Sequence, residues 1–156
     1  MTSAVRRVLV LIDGLHTRAL VDAITRLVGL DGAHVLLLHV QGTSARSGLE
    51  LASRRPGGRG LPPQRARDLE EAELRSGAEA LAEAAAAFRD QAESVETMEL
   101  RGEAGRLVCD TAARWRADLI AIRAGGRDRP PVGPASLGPA ARFVTDHAPC
   151  AVLLIR

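Results

Sequence analysis

The stretch VLVLID, residues 8–13, is five apolar side chains in a row closed by a single carboxylate. A run without a polar face must, as a strand, be covered on both sides, which is the pattern of a parallel sheet flanked by helices. HVLLLHV (34–40), ADLIAI (117–122) and AVLLI (151–155) have the same character. VETMEL (95–100) instead alternates apolar with polar residues and predicts a half-exposed strand at a sheet edge.

Helical spacing fills the intervals between these strands. Leu20, Ala23, Ile24, Leu27 and Val28 share one helix face, and Gly29 and Gly32 stop that helix. Residues 65–93 carry the longest pattern, with Leu74, Ala78, Leu81, Ala85, Phe88 and Ala92 expected inward. A third helix from about Ala104 turns Leu107, Val108, Ala112 and Trp115 to the core. A short fourth, from Pro139 to His147, does so with Ala140, Phe143 and Val144, and Pro149 ends it. Strict β-α alternation with right-handed crossovers predicts one α/β domain over residues 1–156. Its core is an open five-stranded parallel sheet with four helices on both faces. A chain of 156 residues buries about 68–70% of its unfolded surface, enough for a single core.

All 21 basic residues are arginine. Without lysine, a Walker-type phosphate loop, a Schiff base and a response-regulator relay are excluded. The formal charge of +2 is too small for a dedicated nucleic-acid binder. The Arg/Gly-rich segment 41–63 is expected to be a flexible, solvated connection, and no aromatic residue interleaves its arginines to stack on bases. Cys109 and Cys150 form no CxxC pair, and the four histidines lack metal-ligand spacing. Val8–Ile12 is too short a run for a targeting segment or a span, so a cytoplasmic protein with no membrane partner is expected.

Doubly wound sheets bind ligands beyond the carboxyl ends of their strands, where strand order reverses. If the first and fourth strands are neighbours, Asp13 and the glycine- and proline-rich loop after Ile122 line that crevice. Asp13 can hydrogen-bond a ligand hydroxyl or amine, or favour the Asp-Gly turn at 13–14, and one residue can do both. DGLHTR (13–18) is not a GxGxxG fingerprint, and GPASLG around Ser136 lacks the GxSxG spacing of a hydrolase. A flavin site lacks its flanking aromatics, since Trp115 is the sole tryptophan and tyrosine is absent. His16 reads as an exposed helix start. With only Asp13 and His16 as general-base candidates, slow nucleotide hydrolysis is a minor alternative and no enzyme is expected.

VLVLIDG (8–14), HVLLLHV (34–40), RGEAGRLVCDTAARWRADLIAI (101–122) and LGPAARFVTDHAPCAVLLIR (137–156) resemble the universal stress protein family along nearly the whole chain. The resemblance implies an adenine nucleotide alpha hydrolase-like fold with strand order 3-2-1-4-5. Members that bind ATP share a loop G-x2-G-x9-G-[S/T] after the fourth strand, an aspartate ending the first and a valine ending the second. By that resemblance the nucleotide would be met by Asp13, Val40, Gly126 and Gly138. The departures are that Arg123 stands for the first glycine, eleven residues separate Gly126 from Gly138, and Pro139 replaces the hydroxyl residue.

Each departure has a physical cost. Arg123 brings a Cβ where backbone should approach a ligand, and Pro139 offers neither N–H nor hydroxyl to a phosphate. Asp128 adds like charge, which Arg123, Arg127 and Arg129 could offset. The expectation is a regulatory or stress-response module whose ATP binding is weakened or lost. The alternative is an ATP-binding, nucleotide-dependent switch. Family members commonly dimerise through the last strand, so a homodimer through Ala151 to Ile155 is expected, with a regulatory protein as a further possible partner.

Overall fold

The computed structural model describes residues 6–14, 16–42, 62–125, 129–130 and 132–156. The expected segment 41–63 lies outside these except for its ends. The elements run β1 (Arg7–Ile12), α1 (Thr17–Leu27), β2 (His34–Gly42), α2 (Pro63–Phe88), β3 (Ser94–Gly102), α3 (Ala104–Trp115), β4 (Leu119–Arg123), α4 (Pro139–His147) and β5 (Ala151–Ile155). All four strand pairings are parallel and the sheet order is β3-β2-β1-β4-β5. Both the fold class and the strand order agree with the sequence reading.

Two hydrophobic layers cover the sheet. Val8, Val10 and Ile12 of β1 pack with Val35 and Leu37 of β2 beneath α1 and α2. Leu9, Leu11, Leu36 and Leu38 pack with Ile120 and Ile122 beneath α3 and α4. Each alternate residue therefore belongs to an opposite layer, and each fully buried Val, Leu or Ile contributes about 1.5–3 kcal/mol. At the amino end of the sheet, Asp118 Oδ2 accepts from the backbone N–H groups of Arg6 and Arg7 at 3.0 and 2.9 Å. The Arg7 guanidinium lies 4.6 Å over the Trp115 ring. Among the described residues no helix is long and apolar enough to cross a membrane.

Of the face expected on α2 and beyond it, Leu81 and Phe88 are buried and Ala85 and Ala92 pack against the core, while the amino-terminal part differs. Gly77, Ala80, Leu81, Ala84 and Phe88 are buried, whereas Leu74 is 42% exposed and Ala78 is exposed. The reason is Gly77: the His39 ring lies where its Cβ would be, so the small residue must face β2. That contact rotates Leu74 to the rim. The helix also ends at Phe88, earlier than the pattern through residue 93 suggested.

The contact between α3 and α4 is set by a second glycine. A Cβ on Gly105 would lie 2.7 Å from Phe143 Cβ and 2.9 Å from its Cγ. Phe143 cannot rotate its own Cβ away, so α4 itself would have to move. We expect Gly105→Ala to destabilise the protein by about 1–2 kcal/mol, overpacking outweighing the roughly 1 kcal/mol gain in helix propensity. Urea denaturation checks this. Gly29→Ala, where a methyl meets nothing within 4 Å, serves as the control.

Candidate functional site

The two central strands end side by side. Val10 pairs with Ala121 across β1 and β4, and Ile12 pairs with His39 across β1 and β2. Asp13 thus follows directly at the carboxyl end, beside Val40 and the last residues of β4. Gly14 takes φ +76°, a conformation that glycine reaches freely, and the chain bends there as it leaves β1. Val40 is half-buried against the α3/α4 layer, and its strand partner is Leu100. The register therefore places Asp13 and Val40 side by side at the carboxyl ends of the central strands, where the strand order reverses. His16 is exposed at the start of α1, with φ 54° and no side-chain capping bond.

Two side chains hold this end in place: His39, which the sequence reading did not assign to it, and Arg123, whose partner that reading did not name. His39 Nδ1 donates to the Ile12 carbonyl at 2.8 Å while its ring lies on Gly77. The Arg123 Nε stands 3.8 Å from Asp13 Oδ2, and both side chains are partly shielded. An ion pair of this length and exposure contributes about 0–1 kcal/mol, but it places a cation on the carboxylate that would face a ligand. Arg123 at the end of β4 thus reaches Asp13 at the end of β1.

Of the loop between β4 and α4, Gly126, Arg127 and Asp128 lie outside the described residues. Gly125 and Gly138 are brought together: the position of a Cβ on Gly138 is 3.8 Å from Gly125 Cα. Gly138 is the N-cap of α4, with φ −69° and ψ 165°, and Pro139 takes the first turn. The Gly138 N–H is already bonded to the Ala124 carbonyl at 2.7 Å.

Residues 134–137 of the loop are held by arginines. Arg129 Nη1 donates to the carbonyls of Ala135 and Leu137 at 3.2 and 3.1 Å, and Arg142 Nη2 to that of Pro134 at 2.7 Å. Ser136 is 3% exposed, and its Oγ accepts from Arg156 Nη1 at 2.9 Å. No sequence motif marks these pairings, because a guanidinium can reach any carbonyl the loop turns toward it.

Elsewhere at this sheet end, His39, Gln41, Leu74, Glu99, Leu100 and Arg101 line a cleft of about 210 Å³. It is smaller than the roughly 300 Å³ at which small-molecule sites begin. Among the described residues, no group of three or more His, Cys, Asp or Glu is placed to hold a metal.

Fold and crevice together define a doubly wound α/β protein of nucleotide-binding-like architecture. The family model described as the universal stress protein family matches residues 4–156, and the chain belongs to that family. Among solved structures, it is similar to the universal stress protein UspA from Lactobacillus plantarum, with TM-score 0.71, 22% identity and coverage of 99% and 100% of the two chains. It is also similar to an Arabidopsis thaliana family member with AMP bound, with TM-score 0.64, 18% identity and coverage of 96% and 90%. A universal stress protein from Archaeoglobus fulgidus in complex with dAMP gives TM-score 0.56, 16% identity and coverage of 97% and 98%. No curated protein matches the chain.

The cysteines offer no activated nucleophile. Burial pushes the Cys109 thiol up, helped by Asp110 and Cys150, and burial followed by the Asp118 charge raises that of Cys150. A raised value means that the folded protein holds the thiol proton more tightly than the unfolded chain. The stability so gained is present below the ordinary thiol value of about 8.5 and is lost as pH rises through the folded values. At pH 7.5 iodoacetamide should therefore alkylate both cysteines at least ~10-fold more slowly in the native protein than in urea, with buried Cys109 the slower. Mass spectrometry of a quenched time course measures this.

Proposed function

We propose that this chain is a non-enzymatic regulatory member of the universal stress protein family, dimeric, with adenine-nucleotide binding weakened relative to members that hold ATP. The observation that carries the reading is the polarity of the loop before α4. A phosphate cradle presents backbone N–H groups to the anion. Here the carbonyls of Pro134, Ala135 and Leu137 converge on guanidinium groups, the Gly138 N–H is consumed by Ala124, and Pro139 has no N–H. The Arg123 guanidinium also competes for Asp13.

Calorimetric titration with magnesium-ATP tests this. We expect a dissociation constant of roughly 1 mM or weaker, and a value at or below about 10 μM would refute the reading. The alternative, a nucleotide-dependent switch, is favoured by the adjacency of Asp13 and Val40 and by the AMP and dAMP complexes of the structural relatives. In that case Asp13→Ala and Gly138→Val should both weaken binding. A Cβ on Gly138 would meet only ordinary van der Waals contacts, and a thermal melt of Gly138→Val separates loss of ligand space from loss of fold.

The dimer rests on the contrast between the two sheet edges. The β3 edge exposes Glu96, Thr97 and Glu99, charges and polar groups that oppose further pairing. The β5 segment AVLLI carries no charge, its last four residues are half-buried, and among the described residues β4 is its one neighbour in the sheet. Pairing with a second copy around a twofold axis would satisfy its outward backbone groups. Light scattering at tens of micromolar should give a dimer, and Val152→Asp or Leu154→Asp should give monomer or aggregate. A stable monomer for the unmodified chain overturns the assignment.

A further inference from the structure

We propose that the cleft beside α2 is a binding site for a short aliphatic ammonium, with the Glu99 carboxylate as its counter-ion. His39 and Glu99 are register partners on β2 and β3, and Gln41 and Arg101 are the next such pair on the same face. The His39 ring lies against Gly77, so that face is the one beneath α2. Leu74, one turn before Gly77 on α2, comes over the same place and is left 42% exposed. These side chains, with Leu100, line the cleft. Val40 packs into the α3/α4 layer instead, so the site is distinct from the one in which Asp13 and Val40 would meet a nucleotide.

Most polar groups of the cleft are already engaged. Arg101 Nη2 stands 3.0 Å from Glu70 Oε1, and its Nε donates to Gln41 Oε1 at 3.1 Å. His39 Nδ1 is bonded to the Ile12 carbonyl. Glu99 is the exception: among the described residues its carboxylate has no hydrogen bond and no ion pair. Glu70 and Arg101 offset one another, so the cleft keeps the negative charge of Glu99. An anion would find the Arg101 guanidinium occupied, and among the described residues no group of metal ligands is gathered here. A monovalent cation on an apolar stem suits both features. The stem lies along Leu74 while the head stays hydrated at Glu99. A volume of about 210 Å³ admits such a chain and excludes a nucleotide.

Neither part of the contact is strong alone. An exposed ion pair changes affinity by up to about fivefold. Each methylene taken out of water adds up to about fourfold. The second effect accumulates along the stem and the first does not, so chain length should govern affinity until the cleft is full.

The experiment is an amide NMR titration of the isotope-labelled chain with alkylammonium chlorides from ethyl to butyl, at about pH 7 and about 0.15 M ionic strength. Saturable shifts should centre on Gln41, Leu74 and Glu99, and affinity should rise about threefold to fourfold per added methylene. Glu99→Gln should weaken butylammonium about fivefold, and 1-butanol should bind wild type no better than butylammonium binds that variant. Glu96→Gln removes an exposed carboxylate on the other face of β3 and should leave affinity unchanged. The amide spectrum of each variant reports its fold in the same measurement. Nα-acetyl-lysine amide carries the same head on a peptide backbone. Tighter binding of it than of butylammonium identifies the source as a lysine of a partner protein, and weaker binding identifies a free amine. Absence of saturable shifts at the cleft by about 100 mM butylammonium overturns the site. So does equal weakening by Glu96→Gln, or affinity that does not change with chain length.

Discussion

Strand β1 offers no polar side chain between Val8 and Ile12, and it is filled on every side. Its faces lie in two separate apolar layers and its edges are paired with β2 and β4. A strand in that position forces the rest of the chain to supply a helical layer above and below it. Right-handed crossovers then send the chain outward in both directions from β1, to β2 and β3 on one side and to β4 and β5 on the other. The reversal of direction occurs between β1 and β4, and the crevice at their carboxyl ends follows from it. Asp13 stands there because the apolar run stops where the strand leaves its cover.

What the crevice can do depends on which backbone groups the loop after β4 turns toward it. Arginine is the only strong cation in this chain, and its planar fork of donors is suited to collecting carbonyl oxygens. Arg129 and Arg142 do so over residues 134–137, while Arg156 reaches Ser136 from beyond β5. These bonds join the loop to α4 and to the end of the last strand. The Ala124 N–H on the Ile155 carbonyl and the Gly138 N–H on the Ala124 carbonyl extend the same chain of contacts. A nucleotide would have to compete with this internal solution.

Two glycines show how packing overrides pattern. The 3.6-residue period in residues 65–93 placed Leu74 and Ala78 inward, yet Gly77 decides the orientation of α2 because the His39 ring needs the space. Gly105 likewise sets the approach of α3 to α4 through Phe143. Hydrophobic periodicity weighs side chains by transfer energy and treats glycine as neutral. Close approach of an element makes the missing Cβ decisive, and no count of apolar residues reveals where that occurs.

The amino-acid order alone determined the five strands, the four helices, their alternation and the position of Asp13 at the carboxyl end of β1, because these depend on local spacing and burial. The strand order came from the resemblance to the universal stress protein family along the chain. The tertiary structure alone decided that Arg123 reaches Asp13, that His39 donates to Ile12, and that Gly125 and Gly138 meet, with Arg129 beside both. Those are contacts between residues far apart in sequence or folded back in a loop without periodicity. A guanidinium on a long side chain has many carbonyls within its reach, and only the folded backbone selects which of them it meets.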